Sequence, residues 1–175
     1  MNELDEFWEQ MIAEAANDPR SLERAGFAEF LAVKNANDAL REASVKWLFD
    51  TMTEVAEHAN RKNAGILIER RDNHRFSSGL TTYAGSLLTF RQGVRCLTVE
   101  AGWTRTPGDG FMRGSALAVA RLTHFGRARS NAELHLLKYE DRPRWFTVGE
   151  DRLRLSFELR DLIDHFEIFL GLREK

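Results

Sequence analysis

The stretch Arg91–Trp103, RQGVRCLTVEAGW, decides the fold class of this chain. Its apolar side chains alternate with polar ones, so one face of an extended strand carries Leu97, Val99, Ala101 and Trp103. The opposite face carries Cys96, Thr98 and Glu100. The Gln92-Gly93 pair is a short turn signal, so this strand is expected to form an antiparallel hairpin with the residues before it.

The same period of two runs from Ile66 to Val148, interrupted by turn residues. It predicts seven strands: Ile66–Arg71, Leu80–Tyr83, Ser86–Arg91, Val94–Trp103, Phe111–Phe125, Leu134–Glu140 and Trp145–Val148. The run Ser115–Ala120, SALAVA, has small side chains on both faces. It therefore indicates a central strand with close neighbours on both sides and helices against one face.

Helical periodicity precedes and follows these strands. It predicts a first helix over Leu4–Ala15, a second over Ser21–Lys34 and a third over Asp38–Lys62, with Asn35–Asp38 as a break. The second helix is expected to bury Leu22, Phe27, Phe30 and Leu31. Ser156 is expected to cap a final helix with an apolar stripe that includes Phe166.

A run of strands between helices predicts an α+β fold. We expect N-terminal helices packed on a mainly antiparallel sheet of about five to seven strands, with a C-terminal helix. The 175 residues predict a single domain, 1–175, with a helical part over 1–64, the sheet over 65–150 and the C-terminal helix over 151–175.

The composition is that of a soluble globular protein, with 43% hydrophobic and 30% charged residues. The N-terminus lacks the basic and apolar regions of a signal peptide, and the longest uncharged run is interrupted by Ser, Thr and Gly. We therefore predict no membrane partner. Because Cys96 is the single cysteine, no internal disulfide can form, and a cytoplasmic location is expected.

Charge is distributed unevenly along the chain. The net charge is −6 over residues 1–64, +5 over 65–150 and −1 over 151–175. Of the 13 cations in the middle segment, 12 are Arg, which binds carboxylates and phosphates through a planar, forked geometry. This bias favours recognition of an anion or an acidic partner, and a general preference for Arg over Lys is the alternative explanation.

The connection Thr104–Gly110, TRTPGDG, is longer than a hairpin needs, and Thr106–Asp109 suits a type II turn. In an up-and-down meander this connection lies at the same end of the sheet as Asp141–Pro143. That end is predicted to gather the binding residues Trp103, Arg105, Asp109, Arg113, Arg142, Arg144 and Trp145.

Asp109 is expected to orient the Arg105 and Arg113 side chains. The alternative is that the loop is only a connector, with both Trp rings in the core and the Arg side chains solvated.

No short catalytic or metal-binding motif is present in the sequence. The five His form neither HxH nor HExxH, and no GxSxG, GxGxxG or GxxxxGK[ST] pattern occurs. We therefore predict no metal and no cofactor, and the sequence assigns no catalytic residue.

We expect a non-enzymatic binding or adaptor protein that recognises an acidic partner protein or a small anion. The alternatives are an enzyme with an Arg-rich site for an anionic substrate and a single-stranded nucleic-acid binder, against which the isoelectric point of about 6.2 argues. A helix-lined pocket would favour a small ligand, and a flat, exposed Trp and Arg surface would favour a macromolecule. The long helix offers Trp47 and Phe49 on diverging faces, so one of them is expected to stay exposed and support a homodimer.

Overall fold

The computed structural model describes residues 22–140, 142–149 and 153–173. The elements in these residues are α1 (Leu22–Asn60), β1 (Leu67–Ser78), β2 (Thr81–Gln92), β3 (Arg95–Trp103), β4 (Ala118–His124), β5 (Ala132–Tyr139), β6 (Arg142–Val148), β7 (Arg154–Ser156) and α2 (Leu159–Leu170). Three short 3₁₀ turns cover Pro107–Asp109, Arg113–Ser115 and Ala128–Ser130. The helix predicted over Leu4–Ala15 lies outside the described residues.

The strands form one antiparallel meander in which each strand pairs with its neighbours in sequence, in the order β1 to β7. With α1 before it and α2 after it, this sheet confirms the predicted α+β fold class. Strand β4 is the middle strand, and residues 116–120 are all buried, as the SALAVA run predicted. Within the described ranges, no helix has the length and apolar character needed to cross a membrane.

Both helices pack on the same side of the sheet, which we call the helix face. The other side, which neither helix covers, is the open face, and it carries a smaller buried cluster of Phe76, Tyr83 and Val119. The core contains alternate side chains of the strands, such as Leu97, Val99 and Leu122, because successive residues of a strand point to opposite faces. α1 contributes Leu48, Phe49, Met52 and Ala56, and α2 contributes Leu162, Phe166 and Phe169.

Two ring contacts fasten α2 to the sheet. The rings of Phe166 and Phe90 meet edge to face with centroids 4.9 Å apart. The Nε2 atom of buried His124 on β4 lies 2.9 Å from Nδ1 of buried His165 on α2.

The predicted break at Asn35–Asp38 is wrong, because α1 runs through it as one helix of 39 residues. Asp38 accepts hydrogen bonds from Lys34 (2.7 Å) and Arg41 (2.9 Å), which join the turns on either side, and no proline interrupts the segment.

The predicted burial of Phe27 and Leu31 is also wrong, since Phe27 is 54% exposed and Leu31 is exposed as well. A helix of this length spans about 58 Å, whereas a 12-residue strand spans about 40 Å, so the first turns of α1 extend past the sheet. Of the other two residues predicted to be buried, Phe30 is partly buried, and the side chain of Leu22 is outside the description.

Several strand boundaries differ from the predictions for identifiable reasons. Except for Leu80, which lies in the preceding turn, the predicted strands Leu80–Tyr83 and Ser86–Arg91 are parts of the single strand β2, because Ala84 and Gly85 continue its pairing with β1 and β3. The predicted strand Phe111–Phe125 shrinks to β4, since Gly114 and Ser115 both have positive φ and turn the chain.

The short edge strand β7 was not predicted, because three residues show no period. The cap of α2 is Glu158 rather than Ser156: the Glu158 N–H donates to Asp161 Oδ2 over 2.8 Å.

Candidate functional site

The predicted site residues lie toward one end of the sheet, which we call the loop end. It comprises the β1–β2 turn at residues 79–80, the connection 104–117 and the described part of the β5–β6 connection, Glu140. The register places Trp103 opposite Ala84 and Arg142 opposite Tyr139, in agreement with the meander prediction. The seven side chains nevertheless do not form one surface, and they divide into three groups.

The first group surrounds Trp103, which is only 4% exposed and belongs to the core on the helix face. The Arg105 guanidinium stacks over the indole ring at 3.8 Å from its centroid. Arg41 of α1 lies 6.0 Å from the same centroid, and its Nε donates to the Leu117 carbonyl over 2.8 Å. Trp103 therefore anchors the loop end and offers no flat aromatic surface to a partner.

Asp109 holds the connection in shape from a buried position. Its Oδ2 accepts the backbone N–H groups of Arg105 (3.0 Å) and Thr106 (2.9 Å), and its Oδ1 accepts a hydrogen bond from the Arg75 side chain. These bonds lower the pKa of Asp109, and the Arg105 N–H contributes most. The prediction that Asp109 orients the Arg105 and Arg113 side chains is therefore wrong, because the Arg side chain that Asp109 binds is that of Arg75 on β1.

The predicted type II turn at Thr106–Asp109 is wrong as well. A type II turn needs positive φ at its third residue, Gly108, which is not among the residues with positive φ. Pro107–Asp109 instead forms a 3₁₀ turn, closed by the Asp109 N–H donating to the Thr106 carbonyl over 2.9 Å.

The second group consists of Arg113 and Arg142, both exposed. Arg113 begins the 3₁₀ turn Arg113–Ser115, and its guanidinium packs against Gly79, where an added Cβ would lie 2.6 Å from Nη2. Arg142 is the first residue of β6. The connection thus carries Arg113 to the β1–β2 turn and away from the Trp103 ring on which Arg105 stacks.

The third group, Arg144 and Trp145, lines a pocket between α1, β6 and the start of α2. Its volume is about 520 Å³. The other residues that shape it include Ser44, Trp47, Phe157, Glu158 and Leu159.

The pocket has an apolar base and an apolar rim. Trp145, 3% exposed, and Phe157 are buried and form the base. Trp47, 43% exposed, and Leu159 form the rim. The Trp145 Nε1–H donates to the Ser44 carbonyl over 3.3 Å, which fixes the indole ring against α1.

One anion and one helix terminus set the electrostatics of this pocket. Arg144 borders the pocket, but it alternates with Trp145 along β6, so its guanidinium lies on the open face, 5.4 Å from the Tyr139 ring centroid. Glu158 Oε1 accepts the Ser156 hydroxyl over 3.3 Å. Because α2 begins at Leu159, the positive end of its dipole faces the pocket and favours a bound anion.

The sequence did not identify Arg75, Ser44 or Glu158 as parts of these sites. Arg75 and Ser44 act through partners far along the chain, Asp109 and Trp145, and no local pattern marks such a pairing. For Trp47 the sequence did give an indication, because this residue lies at the edge of the apolar stripe of α1. In the described part of the chain, no three His, Cys, Asp or Glu side chains group as a metal site would require.

Comparison with protein-family models, with curated proteins and with solved structures gives no match, so no relative assigns a role to any of these residues.

Proposed function

We propose that the protein is a non-enzymatic binding protein whose pocket between α1, β6 and α2 takes a small anion with an aromatic or apolar body. The observation that carries the proposal is an aromatic pocket, based on Trp145 and Phe157, at the N-terminus of α2. Its volume of about 520 Å³ falls in the range of roughly 300–1,000 Å³ that small-molecule sites occupy. The aromatic wall suits an apolar body, and the positive end of the α2 dipole suits a carboxylate or another anionic group.

Burial of the two predicted Trp rings favours a small ligand over a macromolecule. Trp103 and Trp145 are both in the core, so they provide neither a flat Trp and Arg surface nor a stacking platform for single-stranded nucleic acid. An acidic partner protein and an enzyme with an anionic substrate remain the alternatives, and the pocket supports the small anion best.

Tryptophan fluorescence with a matched pair of ligands tests this proposal. Phenylacetate presents an aromatic body and a carboxylate, and phenylacetamide has nearly the same shape without the charge. We expect phenylacetate to bind at least about tenfold more tightly than the amide, a difference of about 1.4 kcal/mol.

Three variants assign the interaction to the pocket. Trp47→Ala should weaken the binding of both ligands because it removes the aromatic rim, and Arg142→Gln, at an exposed position of β6 that does not line the pocket, should leave both affinities unchanged. Glu158→Gln should strengthen phenylacetate binding, because it removes the carboxylate that opposes an anion there. Equal affinity for acid and amide, or unchanged binding by Trp47→Ala, would contradict the proposal.

A homodimer is a second part of this proposal. Trp47 remains exposed although Phe49, two residues later, is buried. Leu159 beside it at the pocket and Ile163 one turn along α2 are exposed as well, and exposed large apolar side chains often mark partner surfaces. Light scattering at high micromolar concentration should give twice the chain mass of 20.1 kDa, and a clean monomer mass would contradict the dimer.

A cytoplasmic location completes the proposal. It rests on the single cysteine, Cys96, which leaves no internal disulfide to form.

A further inference from the structure

The end of the sheet opposite the loop end, which we call the turn end, gathers large apolar side chains that are exposed. It comprises the β2–β3 turn at residues 93–94, the β4–β5 connection at residues 125–131 and the residues that follow α2. Each of these three segments exposes one large apolar side chain: Val94 is 91% exposed, Phe125 76% and Leu172 75%. Single exposed apolar side chains are common, but a group of them in one place marks an interaction surface.

The pairing of β3 with β4 brings Phe125 and Val94 to neighbouring strand ends. The Phe125 N–H donates to the Cys96 carbonyl over 2.9 Å, which places Phe125 beside the beginning of β3. Val94 comes directly before that strand, in the turn from β2. The two exposed side chains therefore belong to the same part of the turn end.

Arg95 joins the end of α2 to this area. Its guanidinium packs on Gly171, where an added Cβ would lie 2.6 Å from Nη2, and its Nη1 donates to Gln92 Oε1 over 3.2 Å. Gly171 ends α2 in the left-handed conformation, and Leu172 follows it. Because Arg95 follows Val94 directly in the chain, this contact adds Leu172 to the apolar group.

Four arginines accompany the apolar side chains. All four are exposed, and in the described part of the chain none of them forms an ion pair: Arg91, Arg95, Arg127 and Arg129. Arg127 Nη1 donates to the Ile168 carbonyl of α2 over 3.3 Å, so two of the four guanidiniums are held in a fixed direction. Their charge and forked geometry are complementary to a surface rich in carboxylates.

We propose that these three apolar and four arginine side chains, the turn-end patch, bind a segment of an acidic partner protein that carries a large apolar side chain. Carboxylates of the segment accept hydrogen bonds from the arginines, and its apolar side chain packs among Val94, Phe125 and Leu172. Phe and Arg are both enriched at protein interfaces. The proposal goes beyond the small-anion site and is independent of it, because α2 begins at the pocket and ends at the patch.

The fixed arginines favour a protein over a lipid surface as the partner. An anionic bilayer attracts any nearby cation through its surface potential. A guanidinium held in one direction, in contrast, matches carboxylates at defined positions. The net charge of the chain, −2, also opposes adsorption to an anionic bilayer.

Glycine amide resonances report directly on the patch. Protein labelled with ¹⁵N-glycine carries signals from Gly93, Gly126 and Gly171, each next to one of the apolar residues, and from Gly79 at the loop end. The probe is a short peptide of Asp and Glu residues with Leu-Phe at its centre. We expect the peptide to shift the first three resonances in a saturable manner and to leave the Gly79 resonance in place.

Two control peptides separate charge from apolar contact. In one, Asn and Gln replace Asp and Glu, and in the other, Ser-Ser replaces Leu-Phe; each should bind at least about tenfold more weakly than the probe. A probe that shifts none of the three resonances, or that binds no better than its uncharged control, would overturn the proposal. Binding to vesicles of equal parts phosphatidylserine and phosphatidylcholine, without binding to the peptide, would also overturn it and assign the patch to a lipid surface.

Matched variants assign the binding to the patch. Arg95→Gln and Phe125→Ser should each reduce the affinity for the peptide at least about tenfold. Arg142→Gln and Leu80→Ser, an exposed arginine and an exposed apolar residue at the loop end, should leave it unchanged. Full binding by Arg95→Gln and Phe125→Ser would overturn the proposal. Phenylacetate binding, followed by tryptophan fluorescence, should be the same in all four variants, so failure of one site is distinguishable from failure of the other.

Discussion

Asp109 fixes the loop end through groups that the sequence does not place beside it. Its carboxylate binds two backbone N–H groups of its own loop and the side chain of Arg75, which is 34 residues away. Arg105 and Arg113, in contrast, are exposed. Stability at this end should therefore depend on the carboxylate more than on the two predicted Arg side chains.

Asp109→Ala should lower the free energy of unfolding by about 1.5–3 kcal/mol, the usual worth of hydrogen bonds to a charged group. Replacing Arg105 and Arg113 together by Ala should cost at most about 1 kcal/mol for each exposed charge. Urea unfolding of the two variants compares them, and a double-Arg variant less stable than Asp109→Ala would contradict this account of the loop.

Glu133 links stability to pH. The His135 hydrogen bond is the main reason that its pKa in the folded protein lies below the ordinary value of 4.5. The stability that this group contributes is present above that value and is lost as the pH falls through the folded pKa. Glu133→Gln should therefore flatten the decline of unfolding free energy below about pH 4.5, and Glu54→Gln, at an exposed position of α1, controls for the loss of one carboxylate. An acid limb that Glu133→Gln leaves as steep as in the wild type would exclude this linkage.

The predicted binding residues show what residue type alone can establish. The expected meander correctly placed the loops after Trp103 and before Arg142 at the same end of the sheet. A Trp in an alternating strand, however, suits a core and a binding surface equally well. Trp103 and Trp145 follow the apolar period of their strands, and both are in the core. Partners such as Ser44 for Trp145 depend on how α1 lies across the sheet, which the local sequence does not encode.

At the scale of elements, α2 completes the core on the helix face. Phe166 is buried and contacts the rings of Phe90 and Phe169. Phe166→Ala should therefore lower the free energy of unfolding by about 3–5 kcal/mol. Ile163→Ala, on the exposed side of the same helix, should change it far less, and an unfolding midpoint that Phe166→Ala leaves unaltered would refute this placement of α2.

Substitutions at the two ends of α1 should change the free energy of unfolding by different amounts. Phe49 is buried against the sheet, whereas Phe27 lies on the turns that extend past it. Phe49→Ala should cost about 3–5 kcal/mol, and Phe27→Ala should stay within about 0.5 kcal/mol, as is usual for surface positions. Similar losses from both variants would show that the first turns of α1 are packed in solution.

Periodicity predicted the elements better than their ends. The change from helical period to a period of two gave the strand run and the fold class, because burial on one face imposes that pattern. It failed where burial stops: α1 continues past the sheet, and the chain turns at Gly114 and Ser115 through positive φ. Such limits depend on tertiary packing, so the apolar pattern of the sequence does not mark them.

At the scale of the whole molecule, the sheet separates two surfaces of different character. The helix face is closed by α1 and α2, with the pocket at their junction with β6. The open face carries a small buried cluster around Tyr83 and the partly buried side chains of Glu100, Arg121 and Glu133. The connection 104–117 links them, since Asp109 bonds Arg75 near Trp103 while Arg113 lies over the β1–β2 turn. We propose that the pocket, rather than the Trp103 end of the sheet, receives the small anion.

The most direct test follows the indole N–H resonances of the four Trp residues while phenylacetate is added. Because Trp47 and Trp145 line the pocket and Trp103 does not, the resonances of the first two should shift together in a saturable manner. The Trp103 resonance should stay in place, and phenylacetamide should produce much smaller shifts at equal concentration. Shifts confined to Trp103, or no saturable shift at Trp47 and Trp145, would contradict the account.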